Sequence, residues 1–228
     1  MKYRLFLTVV LIVLSLGVLF ASDFWLQKSY TEWTENEVEK ILNQSPWAKP
    51  VRISTSPMAP RAQGASIQGG AVPQPREINL TVRWESALPV KQAQAKRRFG
   101  AQAGEVQEAL DYINRNETAY IVSVSGEGLL DRTQAGQDEV ARRNAEETAK
   151  ARMLGNTILK IKNRPEMTPD GVEVTVQQNY AIAIFTFSKE KPFQVSDKNV
   201  EFELDMGRFK IKKKFNLKDM VYQDRLEL

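Results

Sequence analysis

The chain has 228 residues, 42% hydrophobic and 26% charged, which suits one medium-sized globular domain with appendages and excludes a disordered tail or a collagen-like chain. It contains no Cys and no His. That removes disulfides, Cys/His zinc sites, haem ligation by His, Ser-His-Asp and Cys-His catalysis, and imidazole acid-base chemistry.

Lys2 and Arg4 precede an uncharged apolar run, residues 5–21, broken only by Thr8, Ser15 and Gly17 and followed by Asp23. This pattern predicts an export signal, cleaved after Ala21, or an inner-membrane anchor if it is retained. Either way Lys2 and Arg4 stay cytoplasmic and the rest is expected to be extracytoplasmic, periplasmic or secreted. The absence of Cys after the run excludes a lipoprotein anchor. Without Lys2 and Arg4 the balance is 30 basic against 28 acidic side chains, a net charge of +2 rather than +4.

Thr34-Glu35-Asn36-Glu37 reads as a capping box opening a short helix, with Trp33 and Val38 spaced as a hydrophobic staple and Ser45-Pro46 as its stop. Val51 to Ser54 then forms a candidate edge strand. Residues 56–76 carry four Pro, three Gly, repeated Ala and Gln and no acid, the composition of a loop or linker whose Arg61 and Arg76 are free to meet a partner. The chain thus divides at 1–21, 22–55, 56–76 and 77–228.

Residues 77–85 alternate as a half-buried strand, with Ile78, Leu80, Val82 and Trp84 on one face and Arg83 and Glu85 on the other. Helices are expected over 88–99 and 105–115, and a strand over 118–125 ended by Gly126. A further helix over 138–154 shows an Ala face (Ala141, Ala145, Ala149) suited to close packing on a sheet. Residues 157–162 and 172–176 read as strands joined through Thr168-Pro169-Asp170-Gly171, and 180–187 as a strand buried on both faces. In the last hairpin, an even-length turn at Met206-Gly207 places Asp205 opposite Arg208, Glu203 opposite Lys210 and Glu201 opposite Lys212. The fold class is therefore α+β: one largely antiparallel sheet covered by two or three helices, plus a short capped N-terminal helix.

Few motifs carry chemistry. The run Lys210, Lys212, Lys213, Lys214 is matched by carboxylates across the hairpin and reads as a solvated, salt-bridged face, so no nucleic-acid partner is expected. Gly126-Glu127-Gly128 lacks the third glycine of a dinucleotide fingerprint, Asp131 standing in its place. No cofactor or metal is expected. Carboxylate-based glycoside hydrolysis needs only two suitably spaced acids; Glu85, on the polar face of a strand, and Glu127 and Asp131, in a loop after another, are candidates, but none converges by sequence. Trp84 is expected in the core, and Trp25 at a membrane interface if the apolar run is retained. Trp47 has no local explanation and is free to dock the helix onto the domain or onto a partner. Trp47, Arg83 and Glu85 are the candidate binding residues.

Trp33-Thr34-Glu35 with Glu37-Val38, Ile41-Leu42 and Ser45-Pro46-Trp47-Ala48, then Arg83 to Val90, then Lys214-Phe215 with Leu217 to Tyr222 and Leu226-Glu227-Leu228, together resemble a family of uncharacterised exported bacterial proteins seen in acidobacteria. That family has no assigned activity, so the resemblance implies export and a shared fold and no mechanism. Asp224-Arg225 stands where its tail would carry Gly-Lys, so a tight turn is not implied there. The expected function is a non-enzymatic binding or assembly module of the cell envelope with an envelope protein partner, touching membrane only through an uncleaved N-terminus. A glycoside hydrolase and a small-ligand carrier are the alternatives.

Overall fold

Strand alternation builds two facing sheets. The computed structural model describes residues 23–55, 76–130 and 139–228; the apolar run, most of the Pro/Gly-rich segment and Asp131 lie outside them. β1 (Ala48–Thr55), β2 (Arg76–Trp84), β3 (Ala119–Glu127), β5 (Gly171–Gln177) and β6 (Tyr180–Ser188) form an antiparallel sheet in the order β1-β2-β3-β6-β5. β4 (Thr157–Ile161), β7 (Asn199–Asp205) and β8 (Lys210–Asn216) form a second, in the order β4-β7-β8. The residues from Ala48 onward thus reach the sheet directly, β1 lying at its edge.

Register explains the core. Val82 faces Val124, which faces Ala183, while Trp84, Val122 and Phe185 form the next row. All six are fully buried, and the row meets the second sheet edge-on: Trp84 lies 5.8 Å from Phe215, and Phe185 5.7 Å from Phe202. One continuous apolar cluster joins both sheets to the N-terminal helices, so the molecule is a single α+β domain.

Among the described residues five α-helices complete it: α1 (Phe24–Gln27), α2 (Glu35–Asn43), α3 (Leu88–Phe99), α4 (Gln107–Asn114) and α5 (Glu139–Gly155). The capping box forms at α2: Thr34 Oγ1 accepts from the Glu37 N–H at 3.3 Å, and the Glu37 carboxylate from the Thr34 N–H at 2.8 Å. Trp33 and Val38 are both buried beside it. α3 is preceded at its N-cap by Ala87, which has no capping oxygen, and the Glu227 carboxylate from the far end of the chain accepts the Leu88 N–H instead at 3.2 Å.

Several sequence expectations are corrected. β3 does not stop at Gly126 but runs to Glu127; Gly126 sits at φ 148°, opposite Leu80, where a Cβ would lie 2.3 Å from the Asn79 carbonyl oxygen. The glycine lets β3 approach β2 rather than ending it. β4 and β5 are not one hairpin but belong to different sheets. Met167 bridges back to Leu159, and the Asp170 N–H then bonds to Thr186 in the other sheet, so the Pro-Asp-Gly turn carries the chain across the core. β6 is an interior strand, between β3 and β5, but is buried on one face and only half-buried on the other. α5 packs on β5, but its Ala face is not buried in full: Ala145 is exposed, Ala141 and Ala149 are half-buried, and Met153 in its last turn is buried. Alanine offers too little apolar area to hold a helix down.

The final hairpin keeps its parity but slips by two residues. Asp205 faces Lys210, Glu203 faces Lys212 and Glu201 faces Lys214, around a four-residue loop closed by the Met206 N–H on the Phe209 carbonyl. The expected ion pairs form on the diagonal, Lys210 to Glu203 at 3.3 Å and Lys212 to Glu201 at 2.9 Å. Arg208 does not meet Asp205, since its guanidinium donates to the Gly128 and Leu129 carbonyls at 2.8 Å.

Candidate functional site

Trp47 follows the turn that ends α2. The Ser45 hydroxyl donates to the Ile41 carbonyl at 2.7 Å and accepts the Trp47 N–H at 3.2 Å, which aims the indole inward from the start of β1. The side chain is completely buried. Its ring lies edge-on to Trp25 at 5.8 Å and to Tyr222 at 6.3 Å, and Nε1 donates to the Glu227 carbonyl at 2.9 Å. Trp47 therefore joins the N-terminal helix, the sheet and the C-terminal segment, and offers a partner no surface. Trp25, 6% exposed, is likewise a core residue.

Arg83 and Glu85 come together on the sheet face opposite Trp84. Arg83 Nη2 lies 2.7 Å from Glu85 Oε1, Nε donates to the same oxygen at 2.9 Å, and Nη1 reaches the Leu42 carbonyl at the end of α2 at 3.1 Å. Ser123, paired with Arg83 across the strands, donates to Oε1 at 2.5 Å, and Gln94 of α3 donates to Oε2 at 2.5 Å. Tyr112 of α4 donates in turn to Gln94. Burial, then the Glu85 charge, pushes the Tyr112 hydroxyl up to about 12, so it remains a donor. Both Glu85 oxygens are thus engaged by donors, an arrangement that fastens the helices to the sheet.

Behind Trp47 the same elements leave an open cleft of about 1270 Å³. Its walls are residues 23–30, the corner 44–50 and residues 218–224, with Gln92 of α3 at the base. Gln92 is 6% exposed and its carbonyl oxygen accepts from the buried Tyr222 hydroxyl at 3.1 Å. Burial raises the Tyr222 pKa, outweighing its hydrogen bonds with Gln92 and Gln223, which keeps that proton in place. The rim carries Lys28, Lys49 and Lys218 beside Asp23, Asp219 and Asp224. A tight turn does exist here: β9 (Val221–Tyr222) and β10 (Arg225–Leu226) pair across Gln223 (φ 49°) and Asp224 (φ 61°). Asp23, at φ 65°, is also left-handed, so three non-glycine residues hold an unfavourable backbone at one rim.

The lysine run is an edge strand's surface. Glu203, 4% exposed, lies among Lys160, Lys210 and Lys212. Burial raises its pKa, but hydrogen bonds and charge from these ammonium groups prevail and hold it down at about 2. Lys91 and Lys189 donate to the Arg115 and Glu117 carbonyls at 2.7 and 3.1 Å, and burial lowers both ammonium pKa values against the charges of Glu117 and Glu227. Among the described residues no group of three or more acidic side chains is placed to hold a metal ion. No described helix is long and apolar enough to cross a membrane.

The cleft was not legible in the sequence, because its walls lie nearly two hundred residues apart. Trp47-Ala48 and the 218–222 stretch, conspicuous as separate motifs, meet only in three dimensions. No family model, curated protein or solved structure matches the chain.

Proposed function

We propose that the protein is an exported, non-enzymatic binding module of the cell envelope that holds an extended peptide segment of an envelope protein in the cleft behind Trp47. The observation that carries this reading is the cleft itself, about 1270 Å³ with the Gln92–Tyr222 pair at its base. That volume exceeds the roughly 300–1,000 Å³ of small-molecule sites, and the cleft is open to solvent. Amide side chains at Gln27, Gln44, Gln92 and Gln223 match the alternating donors and acceptors of a peptide backbone, and a rim of both charge signs suits a polypeptide. A glycan fits less well: Trp25 and Tyr222 are 6% and 3% exposed and present no broad ring face for sugar stacking. The saturated Glu85 carboxylate favours a structural over a hydrolytic role for that acid.

The test is selection of binders from a random-peptide display library by the purified chain, followed by calorimetry and hydrogen exchange with a selected synthetic peptide. Binding should protect residues 23–30, 44–50 and 218–224, and Gln92→Met should weaken it by about tenfold, the loss of one buried amide. Protection elsewhere, or equal affinity in Q92M, refutes the reading.

A further inference from the structure

Among the described residues the two larger sheets have four edges, and three are guarded. β1 carries Lys49, Pro50 and Arg52; β8 carries Lys210, Lys212 and Lys214, with Lys213 on the core-facing side; β4 is bridged by Met167 at Leu159. Such charges, prolines and covers are how sheets avoid pairing with other chains. β5, Gly171-Val-Glu-Val-Thr-Val-Gln177, has no proline and no cation. It turns into β6 through Gln178-Asn179, with Gln177 facing Tyr180. This closing pair is hydrogen-bonded, so the backbone groups of Glu173, Thr175 and Gln177 point to β6 and those of Val172, Val174 and Val176 point outward. α5 packs on β5, yet among the described residues nothing bonds to these outward groups.

We infer that β5 pairs antiparallel with β5 of a second copy of this chain, about a two-fold axis through Val174. The strand is complementary to itself in that register. Val174 meets Val174, Val172 meets Val176, and Glu173 meets Thr175, so no like charges face each other. The outward groups of the three valines satisfy one another, and the half-buried valine row continues from one core to the next. Centring the axis on Glu173 instead would oppose two carboxylates. Apolar exposure gathers at the same place: Tyr180, at the start of β6, is 45% exposed and Leu154, on the helix that packs on β5, is 38% exposed. Seven residues a side bury less than the roughly 1,600 Å² of a standard stable interface, so the pairing is of about micromolar strength. It joins two complete domains into one ten-stranded sheet and leaves both clefts open.

Sedimentation equilibrium of the full chain across the micromolar range tests this. The wild type should show a reversible monomer–dimer equilibrium. Thr175→Glu, which sets two carboxylates against Glu173 of each partner, should weaken it about tenfold, and the double variant E173K/T175E should restore it. Because the chain has no cysteine, E173C/T175C should give an oxidised covalent dimer while E173C alone should not. A wild type that stays monomeric, a T175E variant that dimerises normally, or crosslinking by E173C alone overturns the inference.

Discussion

Replacing Trp47 tests whether one buried indole ties α1 to the C-terminal segment. The side chain is wholly inaccessible, and a Trp buries up to about 250 Å², worth about 6 kcal/mol at 25 cal/mol per Å² as an upper bound. Truncations of this kind cost about 3–5 kcal/mol after partial collapse, so Trp47→Ala should lose about 4 kcal/mol, a large share of the stability of a domain this size. Trp47→Phe is the sharper perturbation. It keeps a ring against Trp25 and Tyr222 but removes the bond to the Glu227 carbonyl and part of the volume, a loss of about 2 kcal/mol. Urea denaturation measures the total, and native-state hydrogen exchange locates it. Protection should fall first in 24–27 and 221–227, the segments held through the indole, before it falls in β3 and β6. A W47F cost below about 0.5 kcal/mol, or a uniform loss of protection, would refute the assignment of Trp47 as the link.

Gly126→Ala should destabilise by about 3 kcal/mol or more, because its Cβ meets backbone at a φ that side chains avoid, whereas Gly155→Ala, with open space around it, should change denaturation by less than about 1 kcal/mol. Glu203 has a folded pKa of about 2 against an ordinary 4.5, so its contribution is fully present above about pH 4.5 and is lost as the pH falls toward 2. The shift is worth about 3 kcal/mol unscreened. The lysines around it are substantially exposed, which reduces this to about 1–2 kcal/mol, and a Glu203→Gln variant should lose that acid-range slope in pH-dependent urea titrations. Replacing Gln223-Asp224 by Asn-Gly should raise the melting temperature by relieving about 1 kcal/mol of backbone strain; an unchanged melting temperature would show that the turn stores none.

Local chemistry was readable wherever it is settled within a few residues. The Thr34–Glu37 box, the alternating β2 and the core position of Trp84 follow from side-chain spacing, and the structure contains each of them. The hairpin shows the limit of such reading. Side-chain parity preserves the two faces under a slip of two, so Glu203 meets Lys212 directly and Lys210 diagonally with the same charge balance. The longer loop is held by contacts that parity does not encode: the Met206 N–H on the Phe209 carbonyl, the Gly207 N–H on the Asp205 carboxylate, and Arg208 on the Gly128 and Leu129 carbonyls seventy-nine or eighty residues away.

The α+β class, the absence of thiol and imidazole chemistry and the capped helix were determined by composition and period alone, because each depends on residue type or on neighbours in the chain. Which sheet β4 and β5 join, why Trp47 is buried, and how Glu85 comes to be saturated by Arg83, Ser123 and Gln94 were decided only by tertiary structure. The same holds for the cleft and the unguarded β5 edge. A contact between distant segments leaves no period in the sequence; its energy arises when the chain brings the two surfaces together and excludes water between them.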